Sequence, residues 1–148
     1  MNRTTNIGSI MTTDVLTIHP DDTMNKVSDM FNMNDFHHIP VVEEDVRVVG
    51  IVSKFDYFKL QSTFTLFKRK DPEEYNKAIF RSLLVKDVMT KQVAMLHPED
   101  SLQMAAGIFR ENLFHAIPIV DEENKLVGIL STYDLLNYAF REPMLLTK

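Results

Sequence analysis

The sequence predicts an α/β fold made of two tandem units, each ordered strand, helix, strand, strand, helix. The first observation behind this is an internal repeat with an offset of 78 residues. It pairs Pro20 with Pro98, Pro40 with Pro118, Gly50 with Gly128 and Asp56 with Asp134. Residues 10–58 align on 88–136 without a gap, and 19 of 49 positions are identical. Chance would give roughly three, because common residues each make up only several per cent of a chain. The second observation is that each copy carries two short apolar stretches parted by a polar turn, which read as paired strands. The third is apolar spacing of three and four residues before and after that pair, the mark of a helix with one buried face.

Taken in order, residues 1–9 read as a polar, flexible segment or a short lead-in. Ile10 to Ile18 read as a turn entering an extended stretch, which His19-Pro20 stops, since the residue before proline prefers extended geometry. Asp21, Asp22 or Thr23 can cap the helix that follows. Its residues Met24, Val27, Met30 and Phe31 recur at helical spacing and read as core, methionine being a good filler of irregular gaps. Ile39-Pro40-Val41-Val42 and Val46 to Val52 form the strand pair, with Glu43-Glu44-Asp45 as its turn. Gly50-Ile51-Val52-Ser53-Lys54-Phe55-Asp56 and Gly128-Ile129-Leu130-Ser131-Thr132-Tyr133-Asp134 each read as a strand running into a helix start.

Residues 61–83 have no counterpart within the repeat. Lys68-Arg69-Lys70 reads as a solvated loop and Asp71-Pro72 as a helix start. Tyr75, Ile79 and Leu83 then form one apolar stripe on a linker helix. The expected division is therefore unit one at 1–60, a linker with a helix at 61–83, and unit two at 84–148. The apolar Met144-Leu145-Leu146 segment is expected to pack against a neighbour.

At 148 residues and 45% hydrophobic, the chain suffices for one core or two mutually dependent ones, whereas a lone half would be marginal. A net charge of −5 argues against non-specific nucleic-acid binding, which needs basic surface to displace counterions. No apolar run reaches the roughly 18–20 residues that span a bilayer, and the N-terminus lacks a signal-peptide core, so cytoplasm is the expected location. With no cysteine, disulfides, thiolate metal sites and cysteine nucleophiles are excluded. No catalytic triad, metal-binding helix motif or phosphate-cradling glycine loop is present, so neither catalysis nor a metal site is expected.

The repeated residues carry a family resemblance. Met-Thr near each start, His-Pro before the first helix, His-x-Ile-Pro followed by apolar residues, and Gly-apolar-apolar-Ser-x-x-Asp resemble the cystathionine β-synthase (CBS) domain motif. The chain is similar to a stand-alone CBS pair. The resemblance implies two units packed about a pseudo-twofold axis with a ligand cleft on either side, and commonly a homodimer. It also implies a regulatory module for AMP, ADP, ATP or S-adenosylmethionine, acting on a separate protein partner.

In that reading Asp56 and Asp134 contact a ribose, because a carboxylate accepts hydrogen bonds from two vicinal hydroxyls. Ser53 and Ser131 donate to phosphate beside the free N–H groups of a helix start. The resemblance implies a first cleft of Ser53, Lys54, Asp56, His37 and His38 facing His97, Leu102 and Phe114. It implies a second of Ser131, Thr132, Asp134 and His115 facing His19, Met24 and Phe36. The plainer alternative is that each Ser and Asp caps its own helix.

The two expected clefts differ. Before Ile-Pro stands His38 in one copy and Ala116 in the other, and after the serine stand Lys54 and Thr132. Two possible cations thus favour a polyphosphate in the first cleft. Imidazole titrates near neutrality, so that cleft is expected to bind nucleotide more tightly at about pH 6 than at about pH 8. The rival to ligand sensing is a ligand-free module that acts through protein contacts and oligomerisation.

Overall fold

Apolar pairing and the two repeats divide the chain into two compact units. The computed structural model describes residues 4–65 and 72–141. One unit runs from Leu16 to Val93, and the other joins the described residues up to Val15 with those from Ala94 onward. Each unit is therefore the body of one repeat together with the lead-in of the other.

In the Leu16–Val93 unit, helix α1 spans Met24–Met33 and buries Met24, Val27 and Phe31. Thr23 occupies its N-cap position without a side-chain hydrogen bond. Strands β1, His38–Val42, and β2, Val48–Ser53, pair antiparallel, with His38 opposite Ser53 and Val41 opposite Gly50. The extended stretch expected before α1 contributes a single parallel bridge. Ile18 N–H donates to Pro40 O at 3.1 Å and Val42 N–H to Ile18 O at 2.9 Å. His19-Pro20 follows at once and leaves no room for a longer ladder.

Helix α2 spans Lys54–Thr65 and so runs past residue 60, the expected end of unit one. Helix α3, Pro72–Ser82, begins at the expected proline, which has no N–H to lose in a first turn. Ile79, and Leu83 just past the helix end, are partly buried, but the most enclosed apolar side chain described on this helix is Phe80, 4% exposed. Its ring lies 5.6 Å from that of Tyr57, which is 6.0 Å from Phe31, itself 6.0 Å from Phe36. This aromatic chain fills the core beside Ile39, Val41 and Val52. The side chain of Tyr75 and all of Lys68-Arg69-Lys70-Asp71 and Met144-Leu145-Leu146 lie outside the described residues.

Helix α4, Val85–Val88, completes this unit. Met24 N–H donates to Leu83 O, Val85 N–H to Asp22 O and Lys86 N–H to Pro20 O, all at 2.8–2.9 Å.

The other unit repeats the same pattern. Residues 5–12 are a packed lead-in rather than a flexible one. Ile7–Ser9 form a 3-10 turn and Ile7 is fully buried. Leu102 N–H donates to Thr5 O, Ile7 N–H to Asp100 O and Gly8 N–H to Pro98 O, at 2.8–3.0 Å. These are the bonds of Leu83, Val85 and Lys86 shifted by the repeat. Helix α5, Leu102–Arg110, is capped by the Ser101 hydroxyl, which accepts from Met104 N–H. Strands β3, Ala116–Val120, and β4, Leu126–Ser131, pair antiparallel and lead into helix α6, Thr132–Ala139.

The strand turns show how the copies have diverged. Val46 and Asn124 hold equivalent positions and both adopt positive φ, 58° and 62°. Asparagine tolerates that geometry, whereas a β-branched valine is strained by it. Glycine is needed at Gly50 and Gly128. A Cβ at Gly50 would lie 2.6 Å from Met89 Sδ and 2.9 Å from Thr90 O, and one at Gly128 2.7 Å from Met11 Sδ and 2.9 Å from Thr12 O.

Candidate functional site

The chemistry of each repeat gathers where its second strand hands over to a helix. Serine ends β2 and β4, and an acid stands in the first turn of α2 and α6. In the Leu16–Val93 unit, Ser53 N–H donates to Asp56 Oδ2 at 3.2 Å and Asp56 N–H donates to Ser53 Oγ at 3.0 Å. In the other unit the corresponding bonds are 2.8 and 3.1 Å between Ser131 and Asp134. Each pair is thus a reciprocal cap that satisfies two otherwise orphaned donors. Capping is a demonstrated role of all four residues.

Capping does not exhaust them. Oδ2 carries the cap in both acids, and Oδ1 accepts no hydrogen bond among the described residues. Both carboxylates are part-buried, so one oxygen of each stays open to a hydroxyl donor.

The serines differ. The Ser131 hydroxyl donates to Asp134 Oδ2 at 2.9 Å, whereas the Ser53 hydroxyl only accepts among the described residues. The Ser53 proton is thus unused by the cap, whereas the Ser131 proton is shared with Asp134.

The neighbours come from the preceding strand. Lys54 N–H donates to His37 O at 2.7 Å and Thr132 N–H to His115 O at 3.0 Å, so the backbone of each histidine is tied to the helix start. The His37 and His115 residues are exposed, and His38 and Ala116 face Ser53 and Ser131 across the strand pairs. Lys54 Nζ lies 5.9 Å from the Phe58 ring centroid, a cation–π distance.

The residues expected opposite these belong to the other unit in each case. His19, Met24 and Phe36 are in the Leu16–Val93 unit, and His97, Leu102 and Phe114 in its counterpart. Met24 and Leu102 are fully buried in the apolar clusters of their own units, so their side chains serve as core rather than as a ligand surface. Phe36 and Phe114 are partly exposed.

The two histidines head a second repeated loop that sequence reasoning did not identify. His19 N–H donates to Asp22 Oδ2 at 2.9 Å and His97 N–H to Asp100 Oδ2 at 2.8 Å. The signal was His-Pro-x-Asp in both copies. Burial pushes the Asp22 carboxyl up, but the His19 N–H and the Lys26 ammonium outweigh it and hold the group below its ordinary value. Near this loop lies an open hollow of about 650 Å³, lined by His19, Asp21, Glu43, Arg47 and Lys86 among others. It includes neither Ser53 nor Asp56. Its cations are paired within it, Lys86 with Asp21 at 3.1 Å and Arg47 with Glu43 at 2.8 Å.

Among the described residues no group of three or more His, Asp or Glu side chains could hold a metal ion, and no helix is long and apolar enough to cross a membrane.

Known proteins share this fold. The chain is 28% identical over 123 residues to the inosine-5'-monophosphate dehydrogenase of Methanocaldococcus jannaschii, covering 83% of this chain and 21% of that enzyme. It spans between about a fifth and a half of the length of the first curated relatives it matches. Among solved structures, protein MJ1225 of the same organism superposes with a TM-score of 0.79 at 27% identity, covering 94% of this chain and 49% of that one. CBSX2 of Arabidopsis thaliana in complex with AMP superposes with a TM-score of 0.74 at 24% identity, covering 92% and 96%. The CBS domain model matches twice, at residues 7–62 and 85–141, one match for each copy of the Gly-apolar-apolar-Ser-x-x-Asp turn. The chain is a tandem pair of the CBS-domain family.

Proposed function

We propose that the chain is a regulatory, non-catalytic sensor of an adenosyl ligand, with AMP, ADP and ATP the favoured candidates and S-adenosylmethionine a further one. The observation that carries this reading is the open Oδ1 of Asp56 and Asp134 beside a serine at a helix start. A ribose diol supplies the donors that such an oxygen lacks, and a phosphate accepts from the N–H groups and hydroxyl nearby. The complex of CBSX2 with AMP supports a nucleotide as the ligand.

The half-sites are unequal in this proposal. Ser53, Lys54, Asp56, His37 and His38 take the phosphorylated ligand. Ser131, Thr132, Asp134 and His115 take a less anionic one, because the Ser131 hydroxyl is already committed. Met24 and Leu102 are left to the core.

Occupancy changes a partner's state only through differential affinity for two arrangements of the protein. A homodimer and a separate regulated protein belong to this reading. Apolar surface on α6 and its C-cap, where Tyr133, Leu136 and Phe140 are 56–77% exposed, supports such contacts. The same surface, together with the capping role of Ser and Asp, favours the second reading of a ligand-free assembly module.

Thermal melting against AMP, ADP, ATP and S-adenosylmethionine separates the two. A ligand at about 100 times its dissociation constant adds roughly 2.7 kcal/mol, a shift of several degrees at this size. The sensor reading expects a shift that Asp56→Ala abolishes and Asp134→Ala changes less. Unchanged melting with every adenosyl compound would leave the assembly module.

A further inference from the structure

We infer that Met11 and Met89 are oxidation-sensitive clips that hold the exchanged lead-ins in place, giving a cysteine-free chain a redox response. The two residues hold equivalent positions in the repeat. Each thioether packs on the apolar cluster of its own unit, Met89 on that of Leu16–Val93 and Met11 on the other. Each sulfur is pressed against a glycine so closely that a single added carbon on Gly50 or Gly128 would stand 2.6 or 2.7 Å from Sδ. Beside each sulfur the next residue closes the lead-in onto the sheet, Thr90 with Ile51 and Thr12 with Ile129, at 2.9–3.1 Å.

Both methionines are only partly buried, so neither side chain is sealed from solvent. With hydrogen peroxide, a sulfur lone pair attacks one peroxide oxygen and the O–O bond breaks. A proton passes to the departing oxygen and water leaves, so the sulfur is oxidised by two electrons while the peroxide is reduced. The product sulfoxide is polar and larger, and methionine sulfoxide reductases reverse it. It fits neither the glycine contact nor the apolar seat, so the lead-in lifts from strands β2 and β4. These strands end in Ser53 and Ser131. Met33, Met95 and Met104, at 82, 38 and 51% exposure, are in neither position and serve as internal controls.

The test uses the full chain treated with hydrogen peroxide and read by peptide mass spectrometry, thermal melting and hydrogen exchange, so it is independent of any ligand. The expected result is sulfoxide at Met11 and Met89, a melting point lowered by several degrees, and faster exchange at Thr12 and Thr90. Methionine sulfoxide reductases should restore the melting point. The Met11→Leu/Met89→Leu protein should resist the treatment; if it does not fold, either single variant should lose less melting temperature than the unsubstituted chain. Oxidation confined to Met33, Met95 and Met104, or an equal loss of melting point in the leucine variants, would overturn the proposal.

Discussion

Ile51 and Thr90 exchange both backbone hydrogen bonds, Ile51 N–H donating to Thr90 O at 3.1 Å and Thr90 N–H to Ile51 O at 2.9 Å. The start of the second repeat is thereby built into the sheet of the first. A fragment cut at the repeat boundary, 1–62, lacks this segment and also Phe80 and Val85 of the core. It is expected to give no cooperative urea transition by circular dichroism, whereas the fragment 16–93 gives one. Equal behaviour of the two fragments would count against mutual dependence of the repeats.

Glycine substitutions should sort by what a Cβ meets. Gly50→Ala and Gly128→Ala drive a carbon into a methionine sulfur and a threonine carbonyl and should each cost about 1–3 kcal/mol, the usual range for overpacking. Gly107 lies inside α5 with nothing within 4 Å of a new Cβ. Gly107→Ala should stabilise by about 0.5–1 kcal/mol through helix propensity. Urea midpoints of the three variants check the order.

Strain in the first strand turn can be relieved by borrowing from the second. Val46→Asn places at φ 58° the residue type that its counterpart Asn124 already uses at 62°. Left-handed geometry costs an ordinary residue about 1–3 kcal/mol, and asparagine carries less of that cost. A higher melting point for Val46→Asn is expected, and Asn124→Val should lower it.

Asp22 gives a pH dependence of stability with a definite sign. Its folded value is depressed, so its contribution is present above the ordinary aspartate range, about 3.9, and is lost as pH falls through the folded value. Chemical denaturation as a function of pH should show the native protein losing stability relative to Asp22→Asn on acidification below that range. Parallel curves for the two proteins would remove Asp22 from the account.

Much of the fold could be read from the chain because its signals are local. Strand pairs, the α1 stripe, Pro72 as a helix start and the Ser-x-x-Asp caps each lie within a dozen residues, where periodicity and capping chemistry operate. The exchange of lead-ins could not be read that way. Ile7 meets the Asp100 carbonyl across more than ninety residues, and no pattern near Ile7 announces its burial. Its one trace was the repeat itself, since Ile7 and Val85 stand 78 apart just outside the aligned block. Phe80 was missed because Tyr75, Ile79 and Leu83 already satisfied a helical stripe without it. At the candidate site, residue types were legible but the use of individual oxygens was not. Only coordinates distinguish the Ser131 hydroxyl, which reaches Asp134 Oδ2, from the Ser53 hydroxyl, which only accepts within its cap.

The 78-residue register survives in the hydrogen bonds as well as in the letters, and this makes the molecule its own matched comparison. Lys54 and Thr132, His38 and Ala116, and Val46 and Asn124 are substitutions already made once on nearly the same backbone. Exchanging such a pair transplants a property from one half to the other at constant composition. Composition and net charge are then unchanged, and what differs belongs to the positions exchanged.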